Sequence, residues 1–277
     1  MILNETYSLN NGIQIPKIAL GTWQISNADV TDAVKSALSL GYRHIDTASA
    51  YENESGVGLA LKESGIERDK IFITTKIPAE VKTYEEAKRI IASSLEKLDA
   101  DYIDLMLIHS PKPWPELFAG SDKTYYEENL AVWKAMEEAV DEGKIKSIGV
   151  SNFEINDIQN ILDHCRIKPV VNQIRVHIGH TPTDVINFCK DNNIQIMAFS
   201  PNATGKLLGH PVVTEIANKY NVSVPQLSIQ YDLTLGLLPL PRSTNPEHIK
   251  ENANVDFTIS EADMVTLSQV KEIQSLD

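Results

Sequence analysis

Asp46, Tyr51, Lys76 and His109 are side chains from which a proton donor for an oxygen atom can be assembled. A phenol, with a reference pKa of about 10, becomes a useful acid only where a nearby cation favours its phenolate. Lys76 can be that cation, and Asp46 the anion that keeps its ammonium charged in a partly dry pocket. His109 can then hold a substrate oxygen in line. Taken alone, each residue also has an ordinary reading: Asp46 as a helix cap, Tyr51 as a half-buried phenol, Lys76 as a surface lysine, His109 as a satisfied core histidine. The chemistry therefore depends on elements that bring all of them to one place.

Those elements are legible as an alternation. After a hairpin signal at Asn10-Asn11-Gly12, strand-length apolar runs occur at Ile18 to Leu20, His44 to Asp46, Ile71 to Lys76, Ile103 to His109, Ile145 to Val150, Val170 to Gln173, Gln195 to Ser200 and Leu237 to Pro239. Between them lie amphipathic helical stretches such as Tyr84 to Leu98, with Ala87, Ile90, Ile91, Leu95 and Leu98 on one stripe. Leu130 to Val140 and Pro225 to Leu235 read the same way, and Asn245-Pro246-Glu247 supplies the cap, proline and acid that open a helix after the last run. Strands alternating with helices imply an α/β fold with a parallel sheet. Eight such units in 277 residues, against roughly 250 for a typical barrel, favour a closed (β/α)8 TIM barrel with an N-terminal β-hairpin, residues 1–277 forming a single barrel domain. No GxGxxG follows the first run, so a Rossmann sheet is the weaker reading. Catalytic groups of such barrels sit at the C-terminal ends of strands. Asp46 ends the second run, Tyr51 follows shortly after, Lys76 ends the third and His109 the fourth, so all of them would face one mouth.

Composition narrows the partners. Lys and Arg total 25 against 38 Asp and Glu, a formal net charge of −13, so nucleic acid and anionic membranes are disfavoured by repulsion. The apolar runs fall far short of the ~20 residues of a membrane helix, and the start MILNETYSLN has no basic region followed by an apolar stretch, so the cytoplasm is the expected compartment. Cys165 and Cys189 have neither CxxC nor Cys/His ligand spacing and read as buried, reduced thiols. No HxH follows the first strand, which argues against a metal-dependent hydrolase barrel, and no metal is expected.

The motifs G-T-W at Gly21 to Trp23, G-Y-R-H-I-D-T-A at Gly41 to Ala48, Y-x-N-E at Tyr51 to Glu54, I-x-T-K at Ile73 to Lys76 and G-V-S-N-F at Gly149 to Phe153 make the chain resemble the aldo-keto reductase family from Tyr7 to about Phe257. The resemblance implies reduction of aldehydes or ketones with NADPH, Tyr51 being the general acid, Lys76 lowering its pKa, Asp46 pairing with Lys76 and His109 bonding the carbonyl. It also implies cofactor contacts at Gly21, Thr22, Trp23 and Asp46, with Ser151, Asn152 and Gln173 on the nicotinamide carboxamide. Phe199 takes the place of a family Tyr that stacks on the ring, a change that needs only a flat π face. Ser200, Pro201, Asn202 and Leu207 fall in a short pyrophosphate loop, which implies a loosely closed cofactor site. Arg242, Ser243, Thr244 and His248 fall at the 2′-phosphate end, and Glu251 and Asn252 near the adenine.

The departures from the family pattern bear on specificity. Arg242 stands for the usual Lys and keeps its charge. His248 stands for an Arg, and an imidazole cannot make the planar fork of a guanidinium, so NADPH is expected to be preferred with NADH accepted more readily than usual. Trp23 and Trp114, beside Tyr51 and His109, are expected to wall the substrate site. Ser110 replaces a frequent Trp, and the final QSLD stops before the usual extension over the pocket, so the mouth reads as open to bulky aldehydes, ketones or dicarbonyls. A monomer acting on a small carbonyl compound is the default. Two other uses of the same fold are a catalytically silent nucleotide-sensing or structural barrel, and oxidation of an alcohol as the physiological direction.

Overall fold

Leu105 and Leu107 pack in one apolar cluster with Phe72, Val171, Met197 and Leu238, whereas Met106 and Ile108, between and beyond them, pack in another with the helix residues Ile91, Val132 and Met136. This is the strand period of two, and it divides the core into a barrel interior and a layer between strands and helices. The computed structural model describes residues 1–271. Its strands are β1 (Thr6–Ser8), β2 (Gln14–Pro16), β3 (Leu20–Gly21), β4 (His44–Asp46), β5 (Phe72–Ile77), β6 (Ile103–Ile108), β7 (Ile145–Ser151), β8 (Val171–Arg175), β9 (Gln195–Phe199) and β10 (Leu238–Leu240).

Strands β3 to β10 pair in parallel in chain order, as eight neighbours of one sheet. The seam between the last and the first is closed by two backbone hydrogen bonds, from Ala19 N to Pro239 O (3.3 Å) and from Gly21 N to Pro241 O (3.0 Å). The expected (β/α)8 TIM barrel is therefore the fold of the chain. The antiparallel hairpin β1–β2 adds Leu9 and Ile15 to the interior cluster. It bonds to the N-terminal edges of the late strands: Asn10 Nδ2 donates to Pro169 O and Asn193 O, Asn11 Nδ2 to Ser147 Oγ, and Tyr7 OH to Leu237 O. It thus stoppers the end opposite the strand C-termini.

The helices are α1 (Asn27–Ser39), α2 (Glu54–Ser64), α3 (Tyr84–Lys97), α4 (Trp114–Phe118), α5 (Tyr126–Asp141), α6 (Ile155–His164), α7 (Thr183–Asp191), α8 (Pro211–Lys219), α9 (Val224–Thr234), α10 (Pro246–Asn252) and α11 (Glu261–Ser268). Their starts follow capping chemistry: Ser26, Thr83 and Ser223 accept from the amides of Asp29, Glu86 and Gln226, and Asn245 from Glu247. Strand bounds read from the sequence move by one or two residues, because pairing rather than apolarity sets them. Gly149 on β7 is required by close approach: a Cβ there would lie 2.6 Å from Val171 O and 2.8 Å from Leu107 Cδ2.

One expectation for the cysteines is corrected. Cys189 is buried, but Cys165, capping the C-terminus of α6, is partly exposed because the chain leaves the helix there. Among the described residues, no helix is long and apolar enough to cross a membrane, and no cluster of His, Cys, Asp and Glu could hold a metal ion.

Candidate active site

Asp46 closes β4, and Lys76 is the penultimate residue of the neighbouring β5. The parallel register sets Asp46 against Thr74, so the two chains end beside each other at the mouth. The Lys76 ammonium, with no exposed surface, donates to Asp46 Oδ1 (2.7 Å), Thr47 O (2.8 Å) and Tyr51 OH (3.3 Å). Its three protons are thus fully committed. Tyr51 ends a one-turn helix, Ser49–Tyr51, that the left-handed Glu52 (φ 57°) terminates. The other Asp46 oxygen, Oδ2, accepts from Gln173 Nε2 at 2.7 Å. His109, one residue past β6, meets Tyr51 edge-on with ring centroids 5.6 Å apart, and its far side meets Trp114 at 5.1 Å.

The electrostatics follow from burial and from this one ion pair. Burial disfavours the Lys76 ammonium, but the Asp46 carboxylate and the Tyr51 oxygen outweigh it and hold the amine above its ordinary value. Burial pushes the Tyr51 phenol up, and the Lys76 charge recovers only part of that rise. In the free protein, therefore, the phenol is protonated at neutral pH and is a weaker acid than the sequence reading anticipated. Burial, and then the Lys76 charge, hold His109 well below 6.5, so its ring is a neutral imidazole. His109 Nδ1 is buried without a partner.

Asp46, Tyr51 and His109 line a cavity of about 1430 Å³, larger than the ~300–1,000 Å³ of an ordinary small-molecule site. Gly21, Trp23, Asp46, Tyr51, His109 and Trp114 line one region, and Ser151, Asn152, Gln173, Phe199, Ser200, Pro201 and Asn202 continue it. Arg242, Ser243, His248, Glu251 and Asn252 line it too, with Pro241 beside Gly21 across the seam. A cleft of this volume, lined by a protonated phenol, an arginine and an unpartnered buried Asn202 Oδ1, has the size and donor set for a dinucleotide.

Four residues singled out from the sequence do not line the cavity, namely Thr22, Lys76, Leu207 and Thr244. Lys76 acts from behind Tyr51. Thr22 is fully buried and bonds Asp46 O at 3.0 Å. Leu207 packs with Ile178, Ala203 and Val213; with Ala203 it anchors the loop after β9 to the core. Ser110 is also buried, its hydroxyl donating to Lys112 O, and Trp114 rather than Ser110 flanks His109. The QSLD terminus lies outside the described residues.

The structure also places residues that the sequence reading did not single out. Phe118 of α4 is 71% exposed, stacks on Trp114 at 5.8 Å and lines the cavity. Ile174 and Arg175 line it as well, just past Gln173 on β8, where the strand-end rule could have found them. Asn53, quoted within the Y-x-N-E motif without a role, is fully buried and donates to Thr22 O and Ile25 O at 2.9 Å while accepting from Thr47 Oγ1 at 2.7 Å. It ties the loop bearing Trp23 to the chain beneath Tyr51.

A parallel eight-stranded barrel with this buried lysine, carboxylate and phenol at its mouth defines a class of oxidoreductase. The profile of the aldo/keto reductase family matches residues 17–272, and the chain belongs to that family. It is similar to a glyoxal reductase of Bacillus subtilis (strain 168), 41% identical over 264 residues, covering 95% of this chain and 91% of the relative. It is also similar to the methylglyoxal reductase DkgA of Escherichia coli (strain K12), 37% identical with 95% and 92% covered. Among solved structures, an aldo-keto reductase from a Medee basin deep-sea metagenome library superposes with a TM-score of 0.90 at 36% identity, covering 98% of this chain and 96% of the other. A Bombyx mori aldo-keto reductase in complex with NADP gives 0.87 at 33% identity, covering 99% and 95%.

Proposed function

We propose that this protein reduces aldehydes and ketones to alcohols with a reduced nicotinamide cofactor, NADPH preferred and NADH accepted, Tyr51 being the proton donor. The observation that carries the reading is the ammonium of Lys76 bonded at once to Asp46 and to the Tyr51 oxygen, where Asp46 and Tyr51 line a dinucleotide-sized cleft. The solved NADP complex of the Bombyx mori relative supports the cofactor class. When bound, the nicotinamide supplies the hydride to the carbonyl carbon.

The chain's own residues do the rest. Phe199 offers a flat face to the ring, Ser151, Asn152 and Gln173 offer hydroxyl and amide groups to a carboxamide, and Arg242 and Ser243 a cation and a hydroxyl to a 2′-phosphate. His248 there provides no bidentate fork, which favours tolerance of NADH. His109, held neutral, can donate one hydrogen bond to the carbonyl oxygen and fix it beside the phenol. Tyr51 then transfers its proton to that oxygen, and the phenolate left behind is stabilised by the ammonium 3.3 Å away. The protonated phenol is the form that reduction consumes, and the same site run in reverse would take the proton back. Trp114 and Phe118 supply apolar wall for bulky carbonyl compounds, while the glyoxal and methylglyoxal reductases among the relatives point to dicarbonyls.

The test is loss of reduced-cofactor absorbance with NADPH and with NADH against a panel of aldehydes, ketones and dicarbonyls, for the wild type and Tyr51→Phe. Turnover should fall by about 10²- to 10⁴-fold in the variant, the usual worth of a general acid, with NADPH still bound. Cofactor binding without turnover on any carbonyl in the wild type would instead favour a sensing role.

A further inference from the structure

The main chain that leaves β6 is held in an unusual way. Three successive carbonyls, those of His109, Ser110 and Pro111, each accept from a side chain of a different element. Asn152 Nδ2, after β7, donates to His109 O at 3.0 Å. Lys82 Nζ, from the connection between β5 and α3, donates to Ser110 O at 3.1 Å. Asn129 Nδ2, from α5, donates to Pro111 O at 3.0 Å. Lys82 and Asn129 are themselves joined, the ammonium donating to Asn129 Oδ1 at 2.8 Å. Asn129 is almost fully buried, so its amide geometry is fixed by these partners. Three residues further on, Trp114 N donates to Glu80 Oε1 at 3.4 Å, from the same connection as Lys82.

We propose that Lys82 and Asn129 form a clamp that positions the segment from His109 to Phe118, and so set the shape of the substrate wall and the place of the imidazole. The inference rests on the reductase reading and adds positioning residues to it. The physical ground is that a chain crossing from a strand into a five-residue helix has no ladder of its own to fix it. Left unpaired, buried carbonyls are costly; paired with these side chains, they make the wall one piece with β5 and α5. Lys82 also lies 5.7 Å from the Tyr125 ring. Burial pushes its amine down to about 8, against the opposing pull of Glu80 on its own loop, Glu128 on α5 and Asp157 on α6. Lys112 also faces Asp157. The clamp is therefore charged at neutral pH and loses that charge just above it.

The test uses Lys82→Met, which removes the donor, Lys82→Gln, which keeps a donor without charge, and Asn129→Leu. Hydrogen–deuterium exchange of residues 110–121 in the free protein is read beside steady-state kinetics with NADPH and an aromatic aldehyde. The expected result is exchange at least about tenfold faster in that segment for Lys82→Met and Asn129→Leu, the rest of the barrel unchanged. The aldehyde KM should rise about tenfold, roughly the worth of one hydrogen bond to a charged group, with the NADPH dissociation constant unmoved. Lys82→Gln should recover much of both. A neutral Lys82 amine still has two protons for its two acceptors, so in the wild type the KM should change little between pH 7 and 9, as Lys82→Gln also should show. Unchanged exchange in the segment, or exchange raised equally throughout the barrel, would overturn the clamp. A wild type inert on every carbonyl would overturn the reductase reading, while the exchange result would still decide the clamp.

Discussion

Lys76 shows how much of the site depends on one buried charge. Its three protons are all donated, and its chief partner, Asp46, is almost as inaccessible as the lysine itself. Removing the cation leaves a carboxylate in the core with only Gln173 to answer it. Lys76→Met is therefore expected to lower the free energy of unfolding in urea by about 3–5 kcal/mol. Lys76→Met combined with Asp46→Leu should recover part of that loss, because no charge is then stranded. Residues of this kind were the most legible in the sequence, since their types alone state a chemistry. Asp46, Tyr51, Lys76 and His109 converge as their strand-end spacing suggested. Two things about them were not legible. The balance of burial against the lysine's charge, which leaves the phenol above its usual value, depends on surroundings that no spacing encodes. Lys82, Asn129 and Asn53 act through backbone carbonyls, and such contacts have no motif.

The elements were readable in proportion to how strongly a period marks them. The eight barrel strands stand where apolar runs stood, and α3, α9 and α10 open close to where stripes and caps placed them, while α5 opens at Tyr126, a turn before the stripe expected from Leu130. The short α4 was missed, because five residues are too few to show a stripe and its start is set by Pro113 and by contacts with distant loops. Conformation also concentrates at one end of the elements. Of the nine described non-glycine residues with positive φ, Gln24, Glu52, Asn152, Ser200, Ala203 and Thr204 lie just past strand C-termini, and Asp99, Asn193 and Asn221 end helices. The first group clusters at the mouth end of the barrel, and Asn152, Ser200 and Thr204 of it line the cavity. Gly149 is the opposite case, a residue fixed by lack of room. Gly149→Ala should lower stability by about 1–3 kcal/mol through overpacking against Val171 and Leu107, measured as a shift of the urea midpoint at unchanged slope.

At the scale of the whole molecule, folding has enclosed an acid that the site does not use. Asp232 of α9 is fully buried, and neither of its carboxyl oxygens has a partner. Burial raises its pKa well above 3.8. The folded chain therefore keeps a proton there that the unfolded chain releases, so the native state loses ground as pH rises from about 4 toward that raised value. The slope is at most about 1.4 kcal/mol per pH unit. Urea unfolding at several pH values should show this decline in the wild type, and Asp232→Asn should flatten it.

The barrel seam carries a different consequence. Between β10 and β3 the cylinder is joined by two hydrogen bonds, where β6 and β7 share a ladder from Ile103 to Ile108. Gly21 on one side of that join and Pro241 and Arg242 on the other all border the cleft. A dinucleotide lying along the cleft would bridge the weakest stave to its neighbour like a rivet. Holding the cofactor and holding the cylinder shut would then be one event, and melting temperature and amide protection at Ala19 and Gly21 should rise together as the cofactor saturates.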